Sequence, residues 1–180
     1  MQRSMLAGLI GLLHLLAGAC ATHPGVDAPF LVTPHDVVDR MLELARVGPD
    51  DVVYDLGSGD GRLVIAAARD RKARAVGIEI DPGRVARSRA YARGEGVEAR
   101  ASFVEQDIFE ADISAATVVT LYLTREMNLR LRPKLERQLA PGTRIVSFNF
   151  DMGDWEPVSM LPVDVNGRAT PVYLWVVPPR

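Results

Sequence analysis

The run Asp55-Leu56-Gly57-Ser58-Gly59-Asp60-Gly61-Arg62 gathers glycines and charges at a spacing that suits ligand capture. Glycines at 57, 59 and 61 present no side chain to hold a ligand off the backbone, and they permit positive φ in a tight turn. A nucleotide-like group can therefore approach the main chain closely. Two acids lie downstream. Glu79 closes Gly77-Ile78-Glu79-Ile80-Asp81, a place where a carboxylate can accept the hydroxyl hydrogens of a ribose, and Asp107 closes Glu105-Gln106-Asp107-Ile108. Taken singly, the glycine turn also fits an ordinary strand-to-helix corner, and either acid fits a solvated strand end or a helix cap. The combination, with each member at its own strand terminus, points to a binding site.

Such a site needs strands that end on one edge, and the chain supplies them. Val52 to Tyr54 reads as a strand that stops at the glycine cluster, and Leu63 to Ala68 resumes with good helix formers. Ala75 to Ile80, Ala101 to Val104, Val118 to Leu123 and Arg144 to Phe150 are further strands. Helices are expected over His35 to Val47, Pro82 to Arg93 and Arg125 to Leu139, with Pro133 expected to kink or divide the last. Trp155 to Val165 and Thr170 to Val177 flank Asn166-Gly167, a dipeptide favoured in hairpin turns. This alternation predicts an α/β fold: a doubly wound, mostly parallel seven-stranded sheet with helices on both faces and a C-terminal antiparallel hairpin. Ligands of open α/β sheets bind at the carboxyl edge, where the glycine turn and both acids fall.

Composition narrows the possibilities. The 180 residues are 48% hydrophobic and 24% charged, which excludes disorder and fits one compact domain. Lys+Arg 21 against Asp+Glu 23 gives a net charge of -2, which does not favour a nucleic-acid scaffold or a polybasic membrane surface. The single cysteine, Cys20, excludes an intramolecular disulfide and a thiolate metal cluster, and no metal site is expected. Residues 1–20 read as a signal peptide, with Arg3, an apolar run from Met5 to Leu16, and small residues before Cys20. Leu16-Ala17-Gly18-Ala19-Cys20 resembles the lipobox of bacterial lipoproteins, with Ala17 where that pattern has leucine. Residues 21–29 form a linker, and residues 30–180 the domain.

The run Val53-Tyr54-Asp55-Leu56-Gly57-Ser58-Gly59-Asp60-Gly61-Arg62, with Gly77-Ile78-Glu79-Ile80-Asp81, resembles the class I S-adenosylmethionine-dependent methyltransferases. The likeness spans residues 30–180 and implies a Rossmann-like methyltransferase fold with S-adenosyl-L-methionine as cofactor. Carried over by position, Asp55 and the backbone of Gly57 and Gly59 would hold the methionine end, with Ser58 and Gly61 in the same loop. Glu79, followed by Ile80, would bind the ribose hydroxyls. Asp107 and the Ile108 backbone would face the adenine. A nicotinamide-binding turn would instead need a small residue at position 62, where Arg62 stands, and has no use for Asp55. A cofactor with a sulfonium and a free α-amino group does.

Within that superfamily the chain resembles the small archaeal and mitochondrial protein-lysine methyltransferases. The shared blocks are Phe30-Leu31-Val32-Thr33-Pro34, the glycine turn, Leu121-Tyr122-Leu123-Thr124, Arg132-Pro133-Lys134-Leu135 and Pro141-Gly142-Thr143-Arg144. The resemblance implies a protein substrate with a lysine side chain as acceptor. A lysine amine must arrive neutral, which an apolar or hydrogen-bonding channel promotes. Tyr122 and Thr124 are expected to line that channel, with Asn149 and Asp151 as further candidates. The other reading of Tyr122 is sheet packing with its hydroxyl satisfied locally. Methylation of nucleic bases is disfavoured, because no Asn/Asp-Pro-Pro-aromatic run follows the fourth strand. A histidine base is not expected, since His14, His23 and His35 all precede the cofactor core.

An export signal ahead of a domain that uses a cytosolic donor leaves three arrangements. Translation starts downstream and the enzyme is cytoplasmic; the domain stays attached to a membrane through its N-terminal segment; or an exported, non-catalytic domain binds a nucleoside-like ligand or a partner. A small-molecule acceptor is a further alternative.

Overall fold

The computed structural model describes residues 32–180, so the expectations for residues 1–20 and 21–29 fall outside the described residues. In chain order the elements are α1 (His35–Leu44), β1 (Val52–Leu56), α2 (Arg62–Asp70), β2 (Arg74–Glu79), α3 (Pro82–Gly94), β3 (Ala101–Glu105), β4 (Val118–Leu121), α4 (Arg125–Gln138), β5 (Arg144–Phe148), β6 (Ser159–Val165) and β7 (Arg168–Val176). The strands form one seven-stranded sheet in the order β3-β2-β1-β4-β5-β7-β6. β1 to β5 run parallel, and β7 inserts antiparallel between β5 and β6. β1 lies between β2 and β4, so the strand order reverses there, and that is where open α/β sheets hold their ligands.

The period-two alternation of the strands divides the apolar side chains between two cores. On one face, Val53, Ala75, Phe103, Val118 and Val146 pack with Val37 and Met41 of α1, Val64 and Ala67 of α2 and Val85 of α3. On the other, Leu56, Ile78, Val119, Leu121, Ile145 and Trp175 pack with Leu131 and Leu135 of α4 and with Ile108 and Ile113 of the β3–β4 connection. Helices therefore cover both faces, unequally, because the β3–β4 connection forms no helix.

Three local expectations need correction. α4 is one helix through Pro133 and is not divided there. The carbonyl that Pro133 cannot serve belongs to Leu129, a residue 37% exposed, so water is available to it. β6 begins at Ser159 rather than Trp155, because Trp155 lies in the preceding loop, where its carbonyl accepts a hydrogen bond of 2.6 Å from Trp175 Nε1. β4 and β5 are shorter than expected, since Thr124 caps α4 and Asn149 turns into the left-handed region. The hairpin turn is as expected: Asn166 and Gly167 have φ of 55° and 79°, the pair of positive values a type I′ turn requires. Among the described residues no helix is long and apolar enough to cross a membrane.

Candidate functional site

β1 delivers the chain to the carboxyl edge, and the glycine loop turns it into α2. The backbone N–H groups of Gly57 and Ser58 both donate to the Ile78 carbonyl at 2.9 Å, docking the loop on the end of β2. Gly57, Gly59 and Gly61 have φ of 81°, 56° and 79°, values that side-chain-bearing residues adopt at a cost. A Cβ on Gly61 would also lie 2.6 Å from the Phe103 ring, and one on Gly57 would lie 2.9 Å from Leu123 Cδ2. The glycines thus serve the packing of the loop itself. Gly77 makes room in the same way, since a Cβ there would meet Ser58 Oγ at 2.6 Å. Ser58 Oγ is buried and has no hydrogen-bond partner.

The two nearest acids are buried and differently engaged. Asp55, beside Thr120 in the β1–β4 register, accepts a hydrogen bond of 2.7 Å from the Thr120 hydroxyl. Burial pushes its carboxyl up to about 7; the Thr120 bond opposes that rise, and the charges of Asp60 and Glu79 add to it. Glu79 accepts from the Gly59 N–H at 2.9 Å with Oε2 and from the Asp81 N–H at 3.0 Å with Oε1, and the Arg84 guanidinium stands 3.5 Å from Oε1. A carboxylate offers about four lone-pair directions, so beside these three donors Glu79 keeps room for a hydroxyl donor, and for a second if the long Arg84 contact gives way. Asp107 is half-buried, and its carboxylate accepts from the Phe109 N–H at 2.9 Å, which caps the turn after β3. Ile80 is half-buried beyond β2, and Ile108 is buried in the core beneath α4.

The neighbouring strand ends carry the other candidates. Leu121 pairs with Ser147, and the rings of the next residues, Tyr122 and Phe148, pack at a tilt of 52° with centroids 4.7 Å apart. Partial burial raises the Tyr122 hydroxyl above its ordinary pKa. Thr124 Oγ1 accepts from the Met127 N–H at 3.2 Å and so caps α4. Asn149 has φ of 70°, and its N–H donates to the Pro171 carbonyl at 2.8 Å. Asp151 is engaged locally, accepting from Arg125 Nε and from the Gly153 N–H. Leu121 pairs with both Leu56 and Ser147, so the glycine loop, Tyr122 and the Phe148–Asn149 segment follow adjoining strand ends, with Glu79 tied to the loop through Gly59; Asp107, Thr124 and Asp151 each make a local hydrogen bond as well.

Further residues bear on the site. Thr120 has one visible signal, as the single hydroxyl in the apolar strand Val118-Val119-Thr120-Leu121. Arg62 binds both carboxylate oxygens of Asp60 and also reaches the Thr33 carbonyl at 2.7 Å, fastening the segment before α1 to the glycine loop. Burial alone would raise Asp60, but the hydrogen bonds and charge of Arg62, joined by the charge of His35, hold it below the usual carboxylate range. His35, exposed at the start of α1, is close enough to Asp60 for its charge to act there. Among the described residues no three His, Cys, Asp or Glu side chains converge on a metal position.

Known proteins are similar to this chain. The ANTKMT methyltransferase domain matches residues 55–159. A protein-lysine N-methyltransferase of Saccharolobus islandicus is 47% identical over 150 residues, covering 83% of this chain and 93% of that protein. The adenine nucleotide translocase lysine N-methyltransferase of Mus musculus is 31% identical over 136 residues, covering 76% of this chain and 59% of that protein. A crystal structure of an RNA methyltransferase from Salinibacter ruber with S-adenosyl-L-homocysteine superposes with a TM-score of 0.79 at 55% identity, covering 83% and 95%.

Proposed function

Since this chain belongs to the ANTKMT methyltransferase family and is an S-adenosylmethionine-dependent methyltransferase, we propose that its acceptor is a protein lysine ε-amine. The names of the Saccharolobus and mouse relatives support that acceptor.

The residues present fit the cofactor. Asp55 is a buried acid held near 7 with a hydroxyl as its hydrogen-bond donor, which suits a ligand that brings a positive charge. Ser58 Oγ is a buried polar atom still lacking a partner, and Glu79, with two backbone donors and a long Arg84 contact, has room for a further donor. On this reading Asp55, with the backbone of Gly57, Ser58, Gly59 and Gly61, holds the amino-acid end; Glu79 and Ile80 hold the ribose; and Asp107 and Ile108 border the base.

When bound, the cofactor supplies an electrophilic methyl group for in-line displacement. The protein's part is to orient the acceptor and exclude water. Tyr122 and Phe148 form an aromatic pair at strand ends adjoining the one that leads into the loop, an apolar surface for the acceptor's alkyl chain. The Tyr122 hydroxyl, kept protonated by burial, can donate or accept at that surface. Asn149 brings an amide to the same edge.

The observation that carries this reading is the convergence of Asp55, the Glu79-anchored loop and the Tyr122–Phe148 pair at adjoining strand ends. The name of the Salinibacter protein points to RNA instead, but Leu121-Tyr122-Leu123-Thr124 stands where base-amine methyltransferases carry Asn/Asp-Pro-Pro-aromatic. Incubating the protein with labelled donor and cell extract, then hydrolysing the labelled material, decides the matter. Methyl-lysine is the expected product; label confined to RNA or to small molecules contradicts the proposal. From the sequence of residues 1–20 alone we also propose export or membrane attachment, which N-terminal sequencing of the cell-derived protein tests.

A further inference from the structure

The buried residues of α4 are Asn128, Leu131, Lys134 and Leu135, and Asn128 is the uncharged polar side chain among them, with no exposed surface. Its Nδ2 donates to Ser147 Oγ at 3.0 Å and to the Phe150 carbonyl at 3.1 Å, with the Asp151 carbonyl at 3.4 Å sharing a proton. Ser147 spends its own hydroxyl proton on the Phe150 carbonyl at 2.7 Å. Ser147 Oγ can therefore only accept from Asn128, which obliges the amide to present its NH2 group there. The consequence is that Asn128 Oδ1 is buried without a partner. A leucine at this position would continue the apolar stripe and remove the orphaned Oδ1, but it would also take the amide donor away from the Phe150 and Asp151 carbonyls. The polar arrangement is held at a cost, and what it grips is one short segment.

That segment starts at Asn149, the left-handed residue beside the Tyr122–Phe148 pair. Its N–H is fixed on one side by the Pro171 carbonyl of β7. On the other side, α4 holds each following residue: Asn128 takes the Phe150 and Asp151 carbonyls, Arg125 the Asp151 carboxylate, and Arg132 the Met152 carbonyl at 3.2 Å. An asparagine tolerates positive φ, but neighbours must hold it there when the geometry is to be unique.

We propose that Asn128 is a positioning residue for methyl transfer, acting through Ser147 and the Phe150 carbonyl to set where Asn149 presents its side chain to the acceptor. This rests on the reading of Tyr122 and Asn149 as the acceptor side of the site. It makes no contact with the cofactor part of the edge, so the two functions separate in a variant.

The test uses Asn128→Leu and Ser147→Ala in the full chain, with labelled donor and total cell extract as acceptor. Expected for Asn128→Leu is a maximal transfer rate lower by about tenfold or more, with S-adenosyl-L-homocysteine affinity and the donor KM within about twofold of the parent. Ser147→Ala, which removes only a hydroxyl, should lower the rate in the same sense, and the double variant should be no worse than Asn128→Leu, because the two residues act in one chain of hydrogen bonds. An unchanged maximal rate in a folded Asn128→Leu protein overturns the proposal, as does a rate loss matched by an equal loss of cofactor affinity. Should Asn128→Leu fail to fold, an unchanged rate in Ser147→Ala overturns it. Total label transferred per unit time judges Asn128 whatever the acceptor is, while the chemical identity of the labelled residue judges the lysine reading separately.

Discussion

The Gly59 N–H donates to Glu79 Oε2 at 2.9 Å, so the carboxylate placed at the end of β2 is also the anchor of the loop that ends β1. Its other oxygen accepts from the Asp81 N–H at the start of α3. One buried acid thus ties together two strand ends and a helix start, and the loop's shape depends on it.

Glu79→Gln should therefore fail almost as badly as Glu79→Ala. Both carboxylate oxygens face backbone N–H donors, and a glutamine must turn its NH2 group toward one of them. The expected loss is about 1–3 kcal/mol of stability, with S-adenosyl-L-homocysteine binding weakened about tenfold or more. Thermal melting and calorimetry read the two effects; a glutamine variant of parental affinity would refute the anchoring role.

Asp55 makes cofactor binding depend on pH. Burial places its carboxyl at about 7, far above the ordinary value of roughly 4. The ionised form is the partner for a cationic ligand, so affinity should rise with pH and level off above about 7, and binding at pH 6 should release a proton. The sign for stability is the reverse. The free folded protein holds a proton that the unfolded chain has given up, so this group's contribution is complete below its ordinary value and is lost as pH climbs toward 7. Calorimetry in two buffers of different ionisation heat checks the proton release. Asp55→Asn should abolish it and bind weakly at every pH.

Gly61→Ala should destabilise the fold by roughly 2–4 kcal/mol, combining a positive φ with overpacking against a ring. The added Cβ would sit 2.6 Å from Phe103 and 2.9 Å from Ser88 Cβ. Urea denaturation measures the loss, and a variant as stable as the parent would show that the loop yields more readily than its contacts indicate.

Tyr122→Phe keeps the ring packed against Phe148 and removes only the hydroxyl. The maximal transfer rate should fall by about tenfold or more with cofactor affinity preserved, a split that marks an interaction made with the acceptor in the transition state. An undiminished rate would reduce Tyr122 to packing.

Much of this arrangement is legible in the sequence, and the exceptions have a common physical origin. The glycine turn, Glu79 and the Asn166-Gly167 hairpin declare themselves because their backbone demands are local and few residue types meet them. Asn128 declares nothing: mid-helix it reads as a weak helix former, and its partners lie 19 to 23 residues away. His35 is remote from the loop along the chain, yet Arg62 brings the segment beside it onto the loop through the Thr33 carbonyl. Pro133 suggests a division that does not occur: α4 runs through it, and the residue whose carbonyl loses its donor, Leu129, is exposed. Thr124 and Asp107 have two roles open to them, and the backbone groups beside them take up their oxygens as caps.

A crystal structure of this chain with S-adenosyl-L-homocysteine tests the assigned edge most directly. The account predicts the amino group on Asp55 and both ribose hydroxyls on Glu79, with the Gly59 N–H bond to that carboxylate intact. A ligand bound elsewhere, or one lying along the loop with its ribose clear of Glu79, would contradict it.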